Sequence, residues 1–131
     1  MEIVQPPEWP RAKGYSNGII ADGRILFIAG QVGWNPITSE FDHADFVGQF
    51  RQAMLNIAAV LKAANAGPEH VVRMTWFITD KEAYLGAQRE IGEIYREIMG
   101  RNYPVMSVIV VKGLIEHGGL LEIEATAVLP R

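Results

Sequence analysis

Cysteine is absent from the 131 residues, which excludes disulfides, thiolate nucleophiles and zinc–thiolate sites. Histidine is scarce. His43, His70 and His117 are far apart, and no two share a spacing by which one element presents a pair of metal ligands; no metal is expected. Basic residues are outnumbered, Lys plus Arg being 12 against 15 for Asp plus Glu, for a formal net charge of −3. The chain therefore lacks a general positive field for phosphate backbones, and nucleic acid is not an expected partner. No apolar run approaches the ~18 residues of a membrane span. The opening stretch Met1 to Pro7 lacks the basic-then-apolar pattern of a secretory signal. A soluble, cytoplasmic protein with no membrane partner is expected. No serine sits in a nucleophile-elbow context, and no glycine-rich phosphate loop follows a strand.

What is present suits one domain over residues 1–131. Apolar residues make up 49% of the chain, enough for a real core. Pro6, Pro7 and Pro10 predict an extended, irregular lead-in over 1–14. A first strand is expected over Tyr15–Ala21 and a second over Ile25–Val32. Asp22-Gly23 between them signals an antiparallel hairpin. Gly30 suggests a bulge or a close approach to the backbone. Phe46, Phe50, Met54, Ile57 and Leu61 then recur at three- and four-residue steps, the signature of a long amphipathic helix. Asp42 or Asp45 can cap its start, and Gly67 suits a left-handed position after its end. Val71–Thr79 reads as a strand. Asp80 can cap a second helix, which runs through Tyr84, Ile91, Tyr95 and Ile98 to Gly100. Met106–Val111 and Leu120–Val128 read as the last two strands. The order is β-β-α-β-α-β-β, an α+β domain with two helices on one face of a mixed sheet.

Ile25–Val32, Val71–Ile78 and Met106–Val111 are nearly continuous apolar runs, a pattern of strands covered on both faces. Two helices cover one face. The other face needs a second cover, because monomers seldom expose an apolar patch beyond a few hundred Å². Copies of the same chain are the expected cover; the alternative is the N-terminal segment folded across it.

In the last strand Glu122 and Glu124 alternate with Leu121, Ile123 and Ala125, so both carboxylates lie on one face, roughly 7 Å apart. They are either a solvated strand face or, at a subunit boundary, partly desolvated groups suited to acid–base work. Tyr15 follows Gly14 at the start of the first strand, as a packing residue or a pocket residue. Asn102 to Ser107 leads from the second helix into the fourth strand.

Gly14-Tyr15-Ser16, Gly30-Gln31 followed by Asn35-Pro36, the strand end Thr75–Asp80, Tyr103-Pro104 followed by Ser107, and Glu122-Ile123-Glu124-Ala125-x-Ala127-Val128 occur in this order along nearly the whole chain. Together they resemble the Rid (YjgF-type) family of enamine/imine deaminases. The resemblance implies a chorismate-mutase-like fold and a homotrimer with clefts between subunits. It also implies hydrolysis of reactive enamine or imine metabolites to carbonyl compounds and ammonia, without metal or organic cofactor. It gives Glu122 the role of orienting or activating water, and Tyr15, the Gly30 carbonyl, Ser107 and Val108 the role of lining the pocket.

Where active 2-imino-acid deaminases of that family carry an arginine that clamps the substrate carboxylate, this chain has Met106. A guanidinium holds a carboxylate with two parallel hydrogen bonds; methionine is a soft, apolar wall. A non-standard substrate is therefore expected. Arg101 is the preferred replacement cation, ahead of Lys112 and of Arg73, which reads as a surface residue. Trp34, in the loop after the second strand, is either part of a larger apolar pocket or interface packing. A non-catalytic small-molecule-binding or sensing trimer is the alternative function, and RNA cleavage or translational inhibition is the third.

Overall fold

The computed structural model describes residues 1–131 throughout. Its elements, in chain order, are β1 (Glu2–Val4), β2 (Gly18–Ile20), β3 (Arg24–Val32), α1 (Phe46–Ala63), a 3-10 turn (Pro68–His70), β4 (Val71–Ile78), α2 (Lys81–Gly86), α3 (Gln88–Met99), β5 (Val105–Val110) and β6 (Leu121–Leu129). Four strands form a mixed sheet in the order β3-β6-β4-β5. The central strand β6 is antiparallel to both neighbours, and β5 runs parallel to β4 at the edge. This is an α+β domain with the expected chorismate-mutase-like arrangement of helices on one face of the sheet.

α1 forms where the periodicity placed it, and the second stripe is helical on either side of a break. Asp45 caps α1, its carboxylate accepting from the Gly48 N–H, and Asp80 caps α2 by accepting from the Ala83 N–H. Phe50, Ala53, Met54, Ile57 and Leu61 are buried from α1, and Ile91, Ile94, Tyr95 and Met99 from α3. They meet Met74, Trp76 and Ile78 of β4 and Leu121, Ile123, Ala125 and Ala127 of β6 in one core. Each large side chain buried there contributes about 1.5–3 kcal/mol relative to exposure. The two faces of β6 differ as its alternation requires: Leu121, Ile123 and Ala125 face the core, with Glu122 and Glu124 on the opposite face.

Several expectations are corrected. The lead-in is not wholly irregular, since Glu2–Val4 forms a strand. The first strand is short and pairs with that strand in a separate two-stranded sheet. Asp22-Gly23 therefore closes no hairpin, and β3 pairs instead with β6, about a hundred residues away in sequence. The second helix is two helices, broken at Ala87, so the chain has three helices, not two. The left-handed residue after α1 is Asn65, with φ 56°, and Gly67 is extended. The N-terminal segment does not cover the open face: Phe27 remains 76% exposed and Ile25 59%.

Candidate active site

Glu122 stands on the open face of the sheet, paired in register with Val32 on one side and Phe77 on the other. Two residues of β3, Ala29 and Gly30, oppose Glu124 alone, because the register steps from Ile28↔Ala125 to Gln31↔Ile123. This is the bulge that Gly30 suggested. A Cβ at position 30 would overlap the Glu122 carboxylate, whose three nearest atoms there all belong to that side chain. Glycine is thus what lets the carboxylate lie against the β3 backbone. Burial holds the Glu122 carboxyl above the usual carboxylate range, and the charges of Glu116 and Glu124 push it further the same way.

Glu116 was not singled out from sequence, because it sits in the β5–β6 loop, outside any periodic element. Its Oε2 is buried without a hydrogen-bond partner. Gln49, buried on α1, anchors this loop: its Nε2 donates to the carbonyls of His43 and Gly118, and its Oε1 accepts from the Leu120 N–H. Asn56 does the same for the end of β3, donating to the carbonyls of Val32 and Trp34. Both amides are satisfied in the core and fix the loops flanking Glu122.

Tyr15, 43% exposed, lies at the β5 edge of the sheet, one residue before Ser16, which bridges Val105. The Ser16 N–H donates to the Pro104 carbonyl at 3.0 Å, and the Ser16 hydroxyl donates to the Tyr103 carbonyl at 2.5 Å. These bonds tie the Tyr15 segment to the start of β5. Tyr15, Asn17, Arg73, Met106 and Ser107 line one cavity of about 440 Å³. A second cavity of about 440 Å³, on the other side of Tyr15, includes Arg101. Arg73 therefore opens onto the same cavity as Met106, whereas Arg101 does not. Met106 stands opposite Met74 and packs on the edge of the core. It also lines a smaller cavity of about 250 Å³ with Trp76, Tyr95 and Tyr103. Val108 likewise packs against the core, while Ser107 is exposed. Trp34 is half-buried against Phe41, ring centroids 6.0 Å apart, away from the cavities that Tyr15 lines. His70 is the loop–strand boundary residue expected, its Nδ1 accepting from the Gly67 N–H.

One chain brings Glu122 to Gly30, and Tyr15 to Met106 and Ser107, but not the first group to the second. Ser107 pairs with Thr75, and Thr75 with Glu124; two inter-strand spacings, about 10 Å, separate the rows. Arg73, Thr75, Glu124 and Thr126 line a shallow concavity of about 500 Å³ on that face, with Phe27 at its side.

A four-stranded mixed sheet with helices on one face, and Glu122 on the uncovered other, defines a small open-faced α+β domain. The family model described as Endoribonuclease L-PSP matches residues 8–129. The chain is 36% identical over 129 residues to Protein DfrA of Myxococcus xanthus, covering 97% of this chain and 95% of that protein. It is 30% identical to the 2-iminobutanoate/2-iminopropanoate deaminase of Capra hircus, covering 96% of this chain and 88% of the relative. The crystal structure of YyfB from Yersinia pestis, a protein of unknown function of the conserved Rid protein family, superposes with a TM-score of 0.85 at 32% identity over 98% of each chain. The chain belongs to the Endoribonuclease L-PSP family, the Rid proteins among them.

Proposed function

We propose that this protein hydrolyses a reactive enamine or imine to a carbonyl compound and ammonia, in clefts between the subunits of a homotrimer. The observation that carries this reading is Glu122, a carboxylate held above its ordinary pKa on an apolar face that its own chain leaves open. The Capra hircus relative, a 2-iminobutanoate/2-iminopropanoate deaminase by name, supports the reaction class. Water held by Glu122 attacks the C=N carbon. The carboxylate takes a proton from the water and returns it to nitrogen, giving a carbinolamine; it then moves the hydroxyl proton to the same nitrogen, and the C–N bond breaks to release ammonia and leave the carbonyl. An enamine first takes a proton at carbon to become the imine. A neighbouring copy seated on the open face brings its own Tyr15, Met106 and Ser107 edge over Glu122, which unites the two groups that one chain keeps apart. The same contact covers Phe27 and Ile25 and dries the carboxylate further.

Met106 supports a substrate other than the smallest 2-imino acids, since a thioether offers a carboxylate no donor. The test offers 2-iminopropanoate and an enamine without an α-carboxylate to wild type and to Met106→Arg, with ammonia release as the readout. Wild type is expected to prefer the second substrate, and Met106→Arg to shift preference towards the first by at least tenfold. Equal or better turnover of 2-iminopropanoate by wild type contradicts the role given to Met106. An endoribonuclease reading has the family's descriptive name behind it, but the carboxylates of Glu116, Glu122 and Glu124 repel a polyanion at this face.

A further inference from the structure

The N-terminal segment closes a concavity of about 440 Å³ over the turn that follows α3. Its wall carries Trp9, Arg11, Tyr15, Ser16, Arg101 and Tyr103, and none of its 10 lining residues is Asp or Glu. Neither Arg11 nor Arg101 has an ion-pair partner or donates a hydrogen bond within the chain, whereas Arg51, Arg89 and Arg131 each pair with a carboxylate. The segment is held in place by other groups. β1 pairs with β2, and Asn17 Nδ2 donates to Gln5 Oε1 at 2.6 Å. Gln5 Nε2 donates to the Pro10 carbonyl at 3.2 Å. Tyr103 is stacked on Tyr95, centroids 5.6 Å apart and rings within 9° of parallel. The concavity is thus built without its arginines, which are free to serve a ligand.

Two guanidinium groups on one wall repel each other, and an anion between them reverses the sign of that interaction. A guanidinium presents a planar fork of donors that matches a carboxylate. Trp9, Tyr15 and Tyr103 offer flat faces for a planar apolar body. We propose that this concavity is a binding site for a planar organic carboxylate, unsaturated or aromatic, with Arg11 and Arg101 holding the carboxylate. Tyr15 and Ser16 are shared with the cavity that contains Met106 and Ser107. An anion anchored on Arg11 and Arg101 thus lies next to the pocket of the proposed hydrolysis. In that respect the inference deepens that reading: the substrate's charge sits at a distance from its C=N carbon, outside the reach of the smallest 2-imino acids. Binding itself does not depend on hydrolysis.

The test titrates the whole protein at low salt with benzoate and with benzamide, followed by calorimetry. Benzoate is expected to bind at least tenfold more tightly than benzamide. Arg11→Gln and Arg101→Gln are each expected to weaken benzoate about tenfold, the loss of one charge-assisted contact. Arg89→Gln, on the exposed side of α3, is expected to leave it unchanged. Equal affinity for the two probes, absence of saturable benzoate binding, or unaltered binding in both arginine variants overturns the site. Benzoate binding that persists without ammonia release from any enamine overturns the hydrolysis and leaves the site standing. Turnover of an uncharged enamine without benzoate binding does the reverse.

Discussion

The two faces of the four-stranded sheet are built from the same kind of residue and meet different fates. On the helix side, Met74, Ile78, Leu121, Ile123 and Ala127 are sealed under α1 and α3. On the open side, Ile25, Phe27 and Ile109 stay in contact with solvent beside Glu122 and Glu124. One face holds the fold together within a chain. The other carries the ionisable groups, and its apolar residues have no use within one chain. An apolar strand pattern alone does not distinguish these tasks; the position of the carboxylates does.

The strongest test of that division substitutes one residue on each face. Ile123→Ala is expected to cost about 2–5 kcal/mol, the loss of a fully buried side chain at the centre of the core. Phe27→Glu is expected to keep the circular dichroism of the fold but shift the solution mass towards that of a single 14.5 kDa chain. A mass unchanged by Phe27→Glu removes the open face as the subunit contact.

Next in size is a pair of glycines three residues apart. A Cβ at Gly33 would overlap the backbone of Gln49, and a Cβ at Gly30 would overlap only the flexible carboxylate of Glu122. Gly33→Ala is therefore expected to lower the melting temperature by several degrees, through forced separation of β3 and α1. Gly30→Ala is expected to melt nearly as wild type and to lose most ammonia release, because the carboxylate is displaced. Comparable melting losses in the two variants contradict this separation.

Glu116→Gln removes one of the charges that raise Glu122. The acid limb of the pH–rate profile is expected to move to lower pH, because the ionised, water-activating form then persists further into acid. The smallest effect concerns stability. A carboxyl whose folded pKa is raised binds its proton more tightly when folded, so its contribution falls as pH rises from the ordinary glutamate range through the raised value. Above that window ionised Glu122 weakens the fold. Glu122→Gln is expected to raise the melting temperature at neutral pH by about 1–2 °C, a small figure because the group is only partly buried and solvent screens it. The difference is expected to vanish in acid, which a melting series against pH reads directly.

Much of this was legible in the sequence where the signal is local. The alternation in Leu121–Ala125 placed both carboxylates on one face, the helical steps from Phe46 to Leu61 placed α1, and Gly30 marked the bulge. What depended on distant pairing was not legible. Asp22-Gly23 is a good hairpin signal, but Gly18–Ile20 is occupied by Glu2–Val4, and the long β3 is left for β6. The apolar stripe runs through Tyr84 and Ile91 without a break, although the helix itself breaks at Ala87. Arg73 is exposed, as its sequence context suggested; what that context could not show is that the β4–β5 pairing, Arg73 against Val105, brings it to the cavity that Met106 lines. Arg11 and Arg101 share a wall for the same kind of reason, being held together by the fold across ninety positions.

The most direct measurement follows ammonia release and solution mass together, for wild type and Glu122→Gln, with an enamine that lacks an α-carboxylate. Wild type is expected to release ammonia as an oligomer, and Glu122→Gln to keep the same mass while losing at least 100-fold in rate, in the range a positioned acid–base group supplies. Equal rates in the two proteins at equal mass contradict a Glu122-centred hydrolysis.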